Sequence, residues 1–122
     1  MFHDLLAFQN LVEAGEWSYL NERRAFNTRD KLNWVDGDVA EMLCGLLPAD
    51  HQKVVLNCAV NDLPGCDFVT ADQYSIFWNE ETKTRRSGIG EGIIELSLKV
   101  AIFVDSNGQG AGLVTFHLSG GY

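Results

Sequence analysis

Positive charge is scarce in this chain: 9 Lys and Arg stand against 17 Asp and Glu, a net charge of −8. Such a balance repels nucleic acid at long range and suits a basic partner better than a DNA duplex. A nucleic-acid surface here requires its cations to be concentrated locally. Long apolar runs are lacking too. None approaches the roughly 20 residues that span a bilayer, so no membrane contact is expected. The N-terminal "MFHDLLAFQN" has no basic leader and carries Asp4 ahead of its apolar residues. It does not read as a signal peptide, and the expected compartment is the cytoplasm. Cysteine is sparse and odd in number: Cys44, Cys58 and Cys66, with no CxxC spacing. Neither a disulfide framework nor a metal site is expected, and no cofactor. "GIGEG" is not the GxGxxG of a dinucleotide site. Repeats, low-complexity tracts and a domain linker are all missing, so residues 1–122 read as one domain.

What is present fits an ordinary folded domain, with 46% hydrophobic residues. "FHDLLAFQNLVEA", residues 2–14, has helical apolar spacing and is ended by Gly15. "EWSYLNERRAF" is ambiguous between a short strand and a connection. "NTRDKLNW" offers an Asn27 or Thr28 cap and one or two helical turns. "DGDVAEMLCGLL" is a stronger helix, capped by Asp36 or Asp38, with Val39, Met42, Leu43 and Leu46 on one stripe. Pro48 stops it and starts a short turn, "PADHQ", which leaves His51 on the surface of a helical turn, as His3 is near the N-terminus. The period then changes from helical to alternating. "KVVLNCAV" sets Lys53, Val55, Asn57 and Ala59 against Val54, Leu56, Cys58 and Val60. "QYSIFW" is a strand, and "NEETKTRRSGIGEG" reads as a mobile loop. "IIELSLKVAIFV" and "LVTFHL" alternate around the glycine-rich "DSNGQGAG", a long C-terminal hairpin with Val104, Val114, Phe116 and Leu118 inward. Helices first and strands after indicate an α+β domain: N-terminal helices packed on one face of a mostly antiparallel twisted sheet.

The opposite face of the sheet collects the chemistry-bearing side chains. With the even positions of both hairpin strands inward, Ile93, Glu95, Ser97, Lys99, Ala101 and Phe103 point away, as do Leu113, Thr115 and His117. His117 is expected opposite Lys99 or Ala101. Lys53 and Asn57 share the outward parity of their own strand. Acid, base and phosphate-binding side chains are thus expected together. In metal-free RNA cleavage a base takes the proton of a ribose 2′-OH, cations stabilise the pentacoordinate phosphate, and an acid protonates the leaving oxygen. His117 and Glu95 suit proton transfer. Lys53 and Lys99 suit phosphate, and Lys83, Arg85 and Arg86 add charge from a loop able to close over the face. The bland alternative is a solvated sheet surface, which shows the same mixture of Glu, Lys, Ser and Thr.

Several stretches together resemble the MqsR-type toxins, bacterial mRNA interferases with a RelE-like fold. They are "LVEAG", "AFNTRDKL", "MLCGLLPADHQK", "FW" before a polar residue, "LKV" and "LVTFH", in that order. The resemblance implies metal-independent endoribonuclease activity on single-stranded RNA and control by a cognate antitoxin. It also implies that Lys53 is a catalytic lysine. Asn79 stands where the family has a glutamine, Ser97 where it has a tyrosine and His117 where it has a C-terminal lysine. The family's toxins are basic, and this chain is not. An inactive relative remains open. So does a small acidic binding protein, an immunity protein, inhibitor or mobile-element accessory protein, that meets a basic partner.

Overall fold

The structure is a computed structural model and describes residues 1–119. Helix α1 runs Leu5–Glu13 and buries Leu5, Phe8 and Val12. It starts later than the apolar spacing suggests because Asp4 is its cap, its side chain accepting from Ala7 N at 2.8 Å. Phe2 therefore lies outside the helix. At the other end Gly15 (φ +77°) donates to Val12 O and Glu16 N donates to Leu11 O. This is the paired-bond stop that a left-handed glycine permits. Gln9 Nε2 donates to the carbonyls of Leu43, Cys44 and Leu46. It thereby satisfies the carboxyl end of helix α3, Asp36–Cys44. The cap of α3 is Val35, not an aspartate. Asp38 stands at the third helical position, where its carboxylate accepts from Val35 N. Val39, Met42, Leu43 and Leu46 are buried as the stripe required.

Helix α2 corrects the sequence reading. It spans Glu22–Lys31, so Asn27 and Thr28 lie inside it and cap nothing. Its polarity disguised it, since only Ala25 and Thr28 are buried. Its position explains the polarity. Short strand β1, Trp17–Tyr19, pairs in parallel with β6, Gly108–Leu118, only as far as Leu113. Beyond that point α2 covers the free edge. Thr28 Oγ1 donates to Phe116 O at 2.6 Å and Asn21 Nδ2 to Val114 O at 2.8 Å. An edge whose carbonyls are occupied is protected from pairing with another chain.

The remaining strands are β2, His51–Ala59, β3, Phe68–Asn79, β4, Thr84–Arg86, and β5, Ile93–Asp105. The sheet order is β1-β6-β5-β3-β2, with β4 beside β3, and every pairing other than β1–β6 is antiparallel. The architecture is α+β as expected, with the helices N-terminal to the sheet. A 3₁₀ turn, Pro48–Asp50, joins α3 to β2. His51 opens β2 instead of sitting on that turn. The segment read as a mobile loop contains β4, hydrogen-bonded along β3. Among the described residues no helix is long and apolar enough to cross a membrane.

Three register shifts interrupt the sheet, one between His51 and Lys53 at the start of β2 and two that break the expected alternation. In β5–β6, Lys99 pairs with Thr115 but Val100 pairs with Leu113, so Val114 is the extra residue. Leu113 consequently enters the helix-side core with Phe8, Leu43, Tyr74, Leu96 and Phe116. Val114 crosses to the other face, where it packs with Leu20, Val60, Leu63, Ala71 and Ala101. That second cluster, roofed by the β2–β3 connection, covers the end of the sheet face that alternation left open. Val104, expected inward, is 73% exposed beyond the helices. In β2 a shift between Val55 and Cys58 leaves Asn57 at φ +54° and Leu56 69% exposed. The regular alternation expected of that strand ends at Val55.

The glycines of β6 make room for this second cluster. A Cβ on Gly112 would lie 2.5 Å from Leu20 Cδ1, and one on Gly110 would lie 2.4 Å from the Phe103 ring. Gly112→Val is expected to destabilise by about 2 kcal/mol or more through overpacking. Chemical denaturation measures the effect, and an unchanged midpoint would contradict this account.

Candidate functional site

The sheet ladder sets one line of side chains across four strands. Lys53 pairs with Gln73, Gln73 with Lys99, and Lys99 with Thr115. The next line is Ser75, Ser97 and His117, and the one after is Arg86, Phe77 and Glu95. Partners in a ladder share a face. Lys53, Lys99, His117, Ser97 and Glu95 therefore occupy the same surface, opposite the helix-side core. Adjacent strands lie about 4.8 Å apart, which puts the Cα atoms of Lys53 and Lys99 roughly 10 Å apart. Both side chains can reach a phosphate held between them.

His117 stands opposite Ser97, not opposite Lys99 or Ala101. Lys99 is its diagonal neighbour on one side and Glu95 on the other, within reach of long side chains. Partial burial, and then the Lys99 charge, push the His117 pKa below its ordinary value. The imidazole is thus predominantly neutral at pH 7 and able to accept a proton. Ser75 Oγ lies 3.5 Å from Glu95 Oε1.

Two residues assigned to phosphate by sequence belong to the other side of the sheet. Arg85 pairs with the core residue Trp78 in the ladder, and its guanidinium donates to Asp50 Oδ1. Lys83 Nζ donates to Asp38 Oδ1 at 2.6 Å. They fasten β4 and its turn to α3 and the turn after it. Only Arg86 of that basic segment reaches the open face, because neighbours along a strand alternate. Asn79 has outward parity, but its Oδ1 accepts from Glu81 N and Thr82 N and shapes the β3–β4 turn. Asn57 is carried off the lysine line by the β2 bulge. Arg85→Ala is expected to leave the buried Asp50 without its charge partner and to cost about 3 kcal/mol. Chemical denaturation measures the loss, and an unchanged midpoint would contradict the pairing of Arg85 with Asp50.

At one corner the open face meets α2. A cavity of about 320 Å³ there is lined by Arg24, Asn27, Thr28, Lys99, Thr115, Phe116 and His117. Two cations and a histidine line it without any carboxylate, in a chain with almost twice as many acids as bases. Of the nine Lys and Arg, Arg29, Lys83 and Arg85 are held in ion pairs. Lys53, Lys99, Arg24 and Arg86 have no ion-pair partner among the described residues. Arg23 and Lys31, also without an ion-pair partner among the described residues, lie elsewhere on α2, and Glu95 shares the open face with Lys53 and Lys99.

Sequence reasoning missed Arg24 and Asn27. Their spacing of three places both on one face of a helix, a signal hidden by starting the helix at Asn27. It also missed Asp72, fully buried in β3. The Asp72 carboxylate accepts from Phe2 N and His3 N at 2.7 Å each and from His51 Nε2 at 2.8 Å. These bonds fasten the N-terminus and the start of β2 to the sheet. Among the described residues no group of three or more His, Cys, Asp or Glu converges on a point that would hold a metal ion. Comparison with known protein families, with curated proteins and with solved structures finds no match to this chain.

Proposed function

We propose that the open sheet face binds single-stranded RNA and cleaves it by attack of a ribose 2′-oxygen on the adjacent phosphorus, as the resemblance to MqsR-type interferases implies. The observation that carries this reading is the carboxylate-free corner of Arg24, Lys99 and His117, aligned through the ladder with Lys53. His117, neutral at pH 7, takes the proton of the 2′-OH as the new P–O bond forms. Lys99 and Lys53 stabilise the charge on the phosphorane oxygens. The Lys53 ammonium, three strands across the face from His117 and on the adjacent ladder line, donates the proton to the leaving 5′ oxygen as the P–O5′ bond breaks. Glu95 accepts from the imidazole N–H and steadies the imidazolium. Ser97, Ser75 and Gln73 supply hydrogen bonds between these charges. The products are a 2′,3′-cyclic phosphate and a 5′-hydroxyl. Incubation of the purified protein with single-stranded RNA in EDTA should yield those ends, and RNA left whole at stoichiometric protein would defeat the reading.

A second reading keeps the protein as a non-catalytic binder of a basic partner. The helical layer favours it, since Asp4, Glu13, Glu41, Leu6, Val35 and Leu47 are exposed there. A cationic, partly apolar partner, a cognate antitoxin included, suits that surface. Co-purification of a basic protein released by raised salt supports this reading, and salt-insensitive retention counts against it.

A further inference from the structure

We infer that the cavity between α2 and β6 is a purine-binding pocket that selects the nucleotide next to the cleaved phosphate, with Arg24 and Asn27 reading the base. The inference rests on the RNA-binding reading of the same face. A volume of about 320 Å³ falls in the range of pockets that enclose a small ligand. Lys99, Thr115 and His117 line both this cavity and the open face. A base seated in the cavity thus leaves its own 3′ phosphate beside His117 and Lys99, where the cleavage chemistry is placed.

The free side chains of the cavity point to a purine. Arg24 and Asn27 stand three residues apart on one face of α2, and neither has a hydrogen-bond partner among the described residues. Arg pairs bidentately with N7 and O6 of guanine, and Asn with N7 and N6 of adenine. N7 is common to both and lacking in pyrimidines. Thr28, one turn beyond Arg24, spends its hydroxyl on Phe116 O, which fixes the helix against the cavity wall. Thr115 Oγ1 is buried at the same corner without a partner. An orphaned hydroxyl is destabilising unless something bonds to it, and a base edge does so. Recognition of single-stranded RNA ordinarily proceeds by such splayed bases, held in pockets by donors and acceptors on their edges.

The test is equilibrium binding of the four nucleoside 3′-monophosphates to the full chain, followed by amide NMR. Adenosine or guanosine 3′-monophosphate, or both, should bind about tenfold or more tighter than the cytidine and uridine compounds. Shift changes should centre on Arg24, Asn27, Thr115 and His117. Guanosine preference makes Arg24 the main reader, and adenosine preference makes it Asn27; either supports the pocket. Arg24→Ala or Asn27→Ala, whichever matches the preferred base, should bring the purine down to the pyrimidine level. Both side chains are exposed on a helix surface that tolerates alanine, so thermal stability should stay unchanged. Equal binding of all four, no binding, or shift changes confined to another surface would overturn the inference. Purine-selective binding with RNA left whole defeats the cleavage chemistry but keeps the pocket. Cleavage without base discrimination does the reverse.

Discussion

Changing Lys53 and His117 together to alanine is expected to leave single-stranded RNA uncut under conditions where the unaltered protein cuts it. A general base contributes about 10² to 10⁴ in rate, so His117→Ala alone should lose that much. Loss of the Lys53 ammonium removes the proposed proton donor and a phosphate contact as well. Lys53 is exposed, His117 is exposed at the rim of the α2–β6 cavity, and neither belongs to an apolar cluster, so the double variant should unfold close to the temperature of the parent. The pH dependence has a fixed sign. In its proposed role His117 is a base only when neutral, so the rate should rise with pH through a midpoint below the ordinary histidine value of 6.5. Lys99→Met removes the second cause of that depression and should move the His117 titration, followed by NMR, back upward. Burial is the larger cause, so the return should be partial. Undiminished cutting by the double variant would place the chemistry elsewhere. A His117 titration untouched by Lys99→Met would break the claimed proximity.

Asp72→Asn is expected to give one of the largest stability losses among single substitutions outside the apolar core. Burial alone would raise the pKa of this carboxyl. Phe2 N, His3 N and His51 outweigh it and hold the group below its ordinary value. A carboxylate depressed in this way adds stability above the unfolded pKa of about 3.9, and that stability is lost as the pH falls through the folded pKa. Asparagine keeps the shape but neither the charge nor two acceptor oxygens. Hydrogen bonds to a charged group are worth about 1.5–3 kcal/mol each. Because the released Phe2 amide regains water, a net loss of about 3 kcal/mol at pH 7 is expected, a fall in Tm of roughly 10 °C. The gap between variant and parent should narrow as the pH falls below the unfolded pKa of about 3.9, where the unfolded parent takes up a proton that the folded one still resists. An equal gap at pH 3 and pH 7 would show that charge is not the cause.

The sequence carried the fold class because its signals are local. The stripe Val39, Met42, Leu43 and Leu46 needs only helical spacing to be recognised, and the β5–β6 hairpin needs only alternation and a glycine-rich turn. Lys53, Lys99 and His117 were legible as one group because their parity survives from each strand into the ladder. Helix α2 was cut short because it buries little apolar surface; it is held by Asn21 and Thr28 donating to β6 carbonyls. Neither bond shows as a hydrophobic period. The β4 hairpin was taken for a loop for a related reason, since Thr84, Arg85 and Arg86 are polar on both faces.

Periodicity and composition alone determined that helices precede a mostly antiparallel sheet and that acid exceeds base overall. Each residue's direction along its own element follows from backbone geometry, so this much needs no knowledge of distant partners. Tertiary structure decided the rest. The extra residue Val114 turned one end of the open face into a second core, Asp50 and Asp38 drew Arg85 and Lys83 to the helix side, and α2 brought Arg24 and Asn27 to His117. Each of these is a pairing between segments far apart in the chain, settled by which arrangement buries apolar surface while leaving few polar groups unpaired.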